Sequence, residues 1–199
     1  MTSTTQTQFP ALSGLDSFLR PLSVADVKSC TVVECTFPEE ERCSEEKFHY
    51  RLTYTPDLCL GLFVRDGESD RLIGHIIANR ASGEYVTDGS MMMPENWQTI
   101  PGDEALIVDG QVVGNDPKGS TVAIHSVVVI PEFQGNGIGK ALVEAYIQYI
   151  KDAKIPAKRL AMIAHGHLIK FYESSGFVKH GLSKCQFAGG GWYDLVLNL

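Results

Sequence analysis

The stretch from Ser120 to Ile150 leaves this chain the least freedom. It begins with an apolar, β-branched run, Val122 to Ile130, long enough for a buried strand. Pro131 ends that run, because proline has no N–H to give to a sheet ladder. Gln134-Gly135-Asn136-Gly137-Ile138-Gly139 follows, a loop with three glycines. Ile138, Ala141, Leu142, Ala145, Tyr146 and Tyr149 then recur at helical spacing. Strand, glycine loop and helix in direct succession suit the holding of a phosphate. Glycine lets backbone N–H groups turn toward a ligand that a Cβ would block. The helix start adds unpaired donors and the positive end of its dipole.

Two common phosphate loops do not match these letters. A Walker A loop needs Ser or Thr after Gly-Lys, and Gly139-Lys140 is followed by Ala141. The dinucleotide fingerprint Gly-x-Gly-x-x-Gly fails because Gly135, Gly137 and Gly139 are spaced two apart. The pattern that fits is Gln-x-x-Gly-x-Gly, on Gln134, Gly137 and Gly139. A plain glycine-rich turn between a strand and a helix is the bland alternative.

Composition narrows the class. A chain of 199 residues with 44% hydrophobic and 21% charged residues suits one globular domain, expected over 13–199. A net charge of −7 argues against nucleic acid as a partner and is compatible with a cationic substrate. No apolar run approaches the ~20 residues needed to span a bilayer. The Thr-, Ser- and Gln-rich start lacks the apolar core of a secretion signal and the arginines of a transit peptide, and is expected to be a disordered tail over 1–12. Cys30, Cys35, Cys43, Cys59 and Cys185 show neither a Cys-x-x-Cys pair nor metal spacing. Reduced thiols in a cytoplasmic protein without a metal are the expectation. The oligomeric state stays open, with a monomer favoured.

Taken in order, the chain starts with a short strand over Leu15–Arg20, broken by Pro21. Ser23 and Asp26 are spaced as a capping box for a helix with Val24, Val27 and Thr31 facing inward. Ser44 caps a second helix, with Glu45 and Glu46 in its first turn and Phe48 and Leu52 on its buried face. Leu58–Val64 and Arg71–Asn79 flank the polar turn Arg65–Asp70 as a β-hairpin. The pattern then weakens from Ala81 to Gly119, a variable insert or lid. Within it, Thr87–Met93 suits one helical turn and Glu104–Val113 a small hairpin around Asp109-Gly110. After the central strand and helix, Arg159–Ala164 is a strand and His165–Ser174 a helix closed by Gly176. Phe177–His180 and Tyr193–Leu197 are final strands. The resulting order is mixed α/β.

A second motif joins the first: Phe171-Tyr172-x-x-x-Gly176-Phe177. With Gln134-x-x-Gly137-x-Gly139 it resembles the Gcn5-related N-acetyltransferase (GNAT) superfamily. Within it, Phe37-Pro-Glu-Glu-Glu, Glu45-Glu-Lys-Phe48, Pro56–Phe63 and Ala123–Val129 look like the arylalkylamine (serotonin) N-acetyltransferases and their fungal polyamine-acetylating relatives. The resemblance implies a central, mostly antiparallel mixed sheet flanked by helices, with splayed central strands holding acetyl-CoA. It implies transfer of acetyl to a small primary amine by direct attack. The cofactor residues it implies are Gln134, Gly135, Asn136, Gly137, Ile138, Gly139 and Lys140 around the diphosphate, and Val127, Val128 and Val129 along the pantetheine arm. Tyr172 would be the general acid near the CoA sulfur, and Phe37, Val127 and Ile163 would border the acceptor. The serotonin enzymes carry His-x-His on the central strand. Here the second histidine is His125 and the first position is Ala123, so His125 is the candidate base, alone or with a carboxylate such as Glu34. His165 and His167 are further candidates at the site's border. A core histidine and a ring-packing tyrosine are the structural alternatives. The competing functional alternatives are a protein or peptide N-acetyltransferase and a non-catalytic acyl-CoA sensor.

Overall fold

The computed structural model describes residues 9–67 and 69–199. Most of the expected tail over 1–12, and Glu68 in the expected turn, lie outside the described residues. At the tail's end, Pro10–Leu12 forms a short 3-10 turn and Phe9 and Leu12 are buried.

The chain divides into two compact units. One runs to Ile77 and takes up Ser126–Ala153; the other comprises Ala78–His125 and Lys154–Leu199. The first contains β1 (Ser17–Pro21), α1 (Val27–Glu34), α2 (Glu45–Tyr54) and β2 (Leu60–Asp66). β3 (Ser69–Ala81) and β6 (Thr121–Val129) each pass through both units. β1 pairs antiparallel with β2, and β2 with β3. α4 (Ile138–Asp152) follows the glycine loop. Its Ile138, Leu142, Val143, Tyr146 and Ile150 are buried, and Tyr146 donates its hydroxyl to Leu58 O at 2.7 Å. The core of this unit joins Phe18, Leu22, Val27, Cys30, Phe48, Leu52, Phe63 and Val128.

The caps form as the sequence reading expects. Ser23 N–H donates to Asp26 Oδ2 at 2.9 Å, and Asp26 also takes two bonds from Arg20, at 2.7 and 2.9 Å. Ser44 Oγ accepts from Lys47 N–H at 3.2 Å. Val24 departs from expectation: it is 49% exposed, because it sits in the 3-10 turn ahead of α1 rather than on the inner helix face.

In the second unit, β6 pairs parallel with β7 (Arg159–Ala164), a pairing that needs a long crossover, and α4 lies in it. β9 (Tyr193–Asn198) pairs antiparallel with β7 and with β8 (Val178–Leu182). The seven-stranded order is β1-β2-β3-β6-β7-β9-β8. The fold is therefore mixed α/β, a large mixed sheet with helices. α5 (Ile169–Glu173) ends ahead of Gly176, whose φ is +95°.

The insert folds locally. Thr87 caps α3 (Asp88–Met91), and β4 (Leu106–Val108) and β5 (Gln111–Val113) form a hairpin. Asp109 and Gly110, at φ 51° and 77°, make its turn, as a two-residue primed turn requires. Asn79 Nδ2 donates to Ser90 O at 3.0 Å and Arg80 N–H to Asn115 Oδ1 at 2.9 Å, which stitches the insert to the end of β3. Among the described residues no helix is long and apolar enough to cross a membrane. No disulfide forms among the five cysteines.

Candidate active site

The loop after β6 is built to expose main chain. Pro131–Phe133 forms a 3-10 turn, and Gln134 Nε2 reaches back to Val129 O at 2.7 Å, so the Gln134 side chain closes the loop. Gly135 and Gly137 have φ of +81° and +79°. Such a backbone costs an L side chain about 1–2 kcal/mol. Among the described residues, no atom beyond the adjoining residues lies within 4 Å of where a Cβ would stand at either position. Gly135, Asn136 and Gly137 face solvent, and Gly137 is the N-cap of α4 without a side chain to satisfy the first N–H groups. Ile138, 2% exposed, seats the helix start, and Gly139 lies in its first turn. Lys140 pairs with Glu144 at 3.7 Å on the exposed side of α4. These features fit a diphosphate: open donors, a helix dipole and no carbon in the way.

β6 passes from the second unit into the first after His125. Its ladder with β7 runs from Thr121–Arg159 to Ile124–Met162. Beyond it, His125 and Val127 are half-buried, while Ser126, Val128 and Val129 are buried. Gly74 on β3 permits the close approach of this segment, since a Cβ there would stand 2.8 Å from Val128 O. His125 Nδ1 lies 2.8 Å from Met91 Sδ on α3. Ala123 is fully buried in a cluster with Ala81, Val86, Met91 and Ala161.

The carboxylate suggested for His125 is committed elsewhere. Glu34 Oε1 accepts from Cys43 N–H at 3.0 Å, and Oε2 accepts from Ser126 Oγ at 2.9 Å and lies 3.0 Å from His75 Nε2. Burial alone would raise this carboxyl. Hydrogen bonding and attraction from His75, with the bonds from Cys43 and Ser126, outweigh it and hold Glu34 below the ordinary carboxylate range. Sequence reasoning missed His75 and Ser126: His75 sits in no motif, Ser126 stands unmarked within Ala123–Val129, and the cluster joins positions far apart in the chain.

Tyr172, on α5, is 6% exposed, its ring edge-on to Phe171 and Phe177. Burial pushes its phenol up, so the hydroxyl keeps its proton at neutral pH. Ile163 packs against the cluster that holds Ala123 and Met91. Phe37 packs on the core of the first unit, and its carbonyl accepts from Arg42 Nε at 2.8 Å. His165 and His167 stack on each other, and His165 lies 4.0 Å from the Trp192 ring, centroid to centroid. A cavity of about 530 Å³ opens in the second unit, with Tyr85, Asp88, Ser90, Val112, Lys184 and Cys185 in its walls. Asp88 and Ser90 sit on the same short helix as Met91, the neighbour of His125.

Comparison with known proteins meets this geometry. The acetyltransferase (GNAT) family model matches residues 27–177. A mycothiol acetyltransferase from Nocardiopsis dassonvillei is 32% identical over 83 residues, 41% of this chain and 23% of that protein. The chain spans between 23% and 55% of the length of the curated relatives it matches. Among solved structures, the loading GNATL domain of CurA from Lyngbya majuscula superposes with a TM-score of 0.65 at 15% identity, covering 92% of this chain and 97% of that one. The PaiA N-acetyltransferase from Thermoplasma acidophilum, in complex with coenzyme A, superposes with a TM-score of 0.57 at 16% identity, covering 92% and 99%. These two likenesses speak for the fold. The matched span holds the central strand, the glycine loop with its helix and the Tyr172 motif, and it covers well over half of the sequence, so this chain belongs to the acetyltransferase (GNAT) family.

Proposed function

We propose that this protein moves the acetyl group of acetyl-CoA to a small primary amine, an arylalkylamine or a polyamine, by direct attack of the amine. The observation that carries the reading is the bare main chain of Gly135–Gly137 at the mouth of α4, open where a Cβ would stand. The loop from Gln134 to Lys140 would hold the diphosphate, and the backbone of Val127–Val129 the pantetheine arm. Bound there, acetyl-CoA supplies an activated acyl carbon as a thioester.

The protein's own residues have two proton tasks. A primary amine has a pKa near ~10 and must lose a proton before it attacks. His125, half-buried on β6, is the group assigned to take it. Tyr172 keeps its proton and is assigned to donate a hydrogen bond to the departing sulfur. A cysteine-linked acetyl intermediate is not part of the scheme. Burial pushes the thiols of Cys43 and Cys185 up to about 11 and raises Cys30 as well, so these thiols stay protonated and poorly nucleophilic at neutral pH.

The cavity beside α3 supports a small acceptor. Its volume of about 530 Å³ suits a small molecule, and Asp88 offers it a carboxylate for an ammonium group. One observation favours a second reading. Met91 sits against His125, and Ala123 stands where the serotonin enzymes carry the first histidine of their pair, as a CoA sensor without catalysis would allow. Turnover decides. Acetyl-CoA with tryptamine, phenethylamine, serotonin or spermidine is expected to release CoA in an amine-dependent way. CoA binding without amine-dependent release supports the sensor, and faster release with peptides than with small amines points to a protein substrate.

A further inference from the structure

The cavity of about 530 Å³ lies wholly within the second unit, and its charged lining is balanced. Among the described residues in its walls, Asp88 on α3 is the one acidic group. Lys184, on the connection from β8 to β9, is the one basic group. Both are exposed, and among the described residues neither forms an ion pair.

Asp88 is nonetheless held in place. Its Oδ1 accepts from Gln186 N–H at 2.8 Å and from the Cys185 thiol at 3.3 Å. Those two donors follow Lys184 directly in the chain, so the carboxylate is fastened beside the segment that carries the opposite charge. Among the described residues Asp88 Oδ2 accepts no hydrogen bond and Lys184 Nζ donates none. Tyr85, Val86 and Val112 add apolar wall, and the Tyr85 hydroxyl lies 3.2 Å from His180 Nδ1, which steadies its ring.

A ligand that fits this lining answers both charges. A polyamine brings two or three ammonium groups to one carboxylate and sets the surplus against Lys184, an arrangement that like-charge repulsion disfavours. A plain arylalkylamine satisfies Asp88 and the apolar wall and leaves Lys184 unused. An amine that also carries a carboxylate answers both groups, while an aromatic ring takes the apolar wall.

We propose that this cavity selects a zwitterionic amine of the aromatic amino-acid class, with its ammonium on Asp88 Oδ2 and its carboxylate on Lys184 Nζ. Naming it as the acceptor rests on the acetyl-transfer reading; the binding preference does not.

Phenylalanine and phenethylamine differ only in the carboxylate, so the pair isolates the part played by Lys184. Titration calorimetry of the full chain, with CoA present and absent, is expected to show phenylalanine binding about fivefold tighter than phenethylamine, the worth of one solvent-facing charge pair. Spermidine is expected to bind more weakly than phenylalanine. Lys184→Gln is expected to bring phenylalanine and phenethylamine within about twofold of each other. Lys179→Gln, on β8 and outside the cavity walls, removes the same charge and is expected to keep the preference. Asp88→Asn is expected to weaken both ligands about fivefold. Equal affinity for the two ligands in wild type, tighter binding of spermidine, or a preference that survives Lys184→Gln overturns the proposal, as does the absence of any heat from phenylalanine. With acetyl-CoA, kcat/KM is expected to follow the same order. Selective binding of phenylalanine without amine-dependent release of CoA keeps the ligand class and overturns the acetyl-transfer reading. Release that is no faster with phenylalanine than with phenethylamine, from a protein that binds both equally, keeps acetyl transfer and overturns the ligand class.

Discussion

At Gly137 the cost of a side chain to the fold and its cost to the ligand can be measured apart. The residue has φ +79° and ψ 0°, and among the described residues nothing beyond its chain neighbours stands within 4 Å of a Cβ built on it. Alanine there meets no clash, so its cost is the left-handed backbone alone, about 1–2 kcal/mol. In a chain of this size 1 kcal/mol moves the melting temperature by roughly 2–4 °C, so Gly137→Ala is expected to melt roughly 2–8 °C below wild type. Gly137→Val adds two methyl groups in the open space before the first N–H groups of α4. If two hydrogen bonds to a charged diphosphate are lost, at about 1.5–3 kcal/mol each, the dissociation constant for CoA rises roughly 100-fold or more. Gly67, in the turn after β2, supplies the control. Its φ is +63° and its Cβ position is equally open. Gly67→Val is expected to lower the melting temperature similarly and leave CoA binding unchanged. Thermal melts and calorimetry on the same preparations give both numbers. A folded Gly137→Val that binds CoA like wild type, or a Gly67→Val that weakens CoA as much, refutes the reasoning.

Two further outcomes follow from the same geometry. Tyr172→Phe keeps the buried ring and removes the hydroxyl, so kcat is expected to fall about 10- to 100-fold while CoA affinity stays within about threefold; unchanged kcat would return Tyr172 to a packing role. Glu34 is held below its ordinary value of 4.5, so its contribution to stability is fully present above that value and is lost as pH falls through the lowered one. Urea midpoints are therefore expected to stay level down to about pH 5 and drop more steeply below it than in Glu34→Gln, and parallel acid limbs for the two proteins would speak against the buried carboxylate.

The parts of this structure that contiguous residues encode were legible in the sequence. The strand, glycine loop and start of α4 follow from β-branching, from Pro131 and from glycines that only a left-handed backbone needs. Ser44 names its helix by the same local chemistry, Thr87–Met93 reads as one helical turn, and Asp109-Gly110 names its hairpin turn. What escaped depends on packing between distant segments. Glu34 looked available to His125, but the fold brings it to His75 and Ser126, 41 and 92 residues away in sequence. Val24 fits a helical stripe, yet a 3-10 turn ahead of α1 rotates it outward. The order of strands is also set by pairing across long connections, which no short window of letters carries.

Titration calorimetry of the full chain with CoA and with acetyl-CoA tests the grip at the mouth of α4 most directly. A saturable, one-to-one heat with both ligands, absent in Gly137→Val, is the expected result. No heat of association with either ligand from folded wild-type protein would contradict it and remove the ground from under the roles given to His125 and Tyr172.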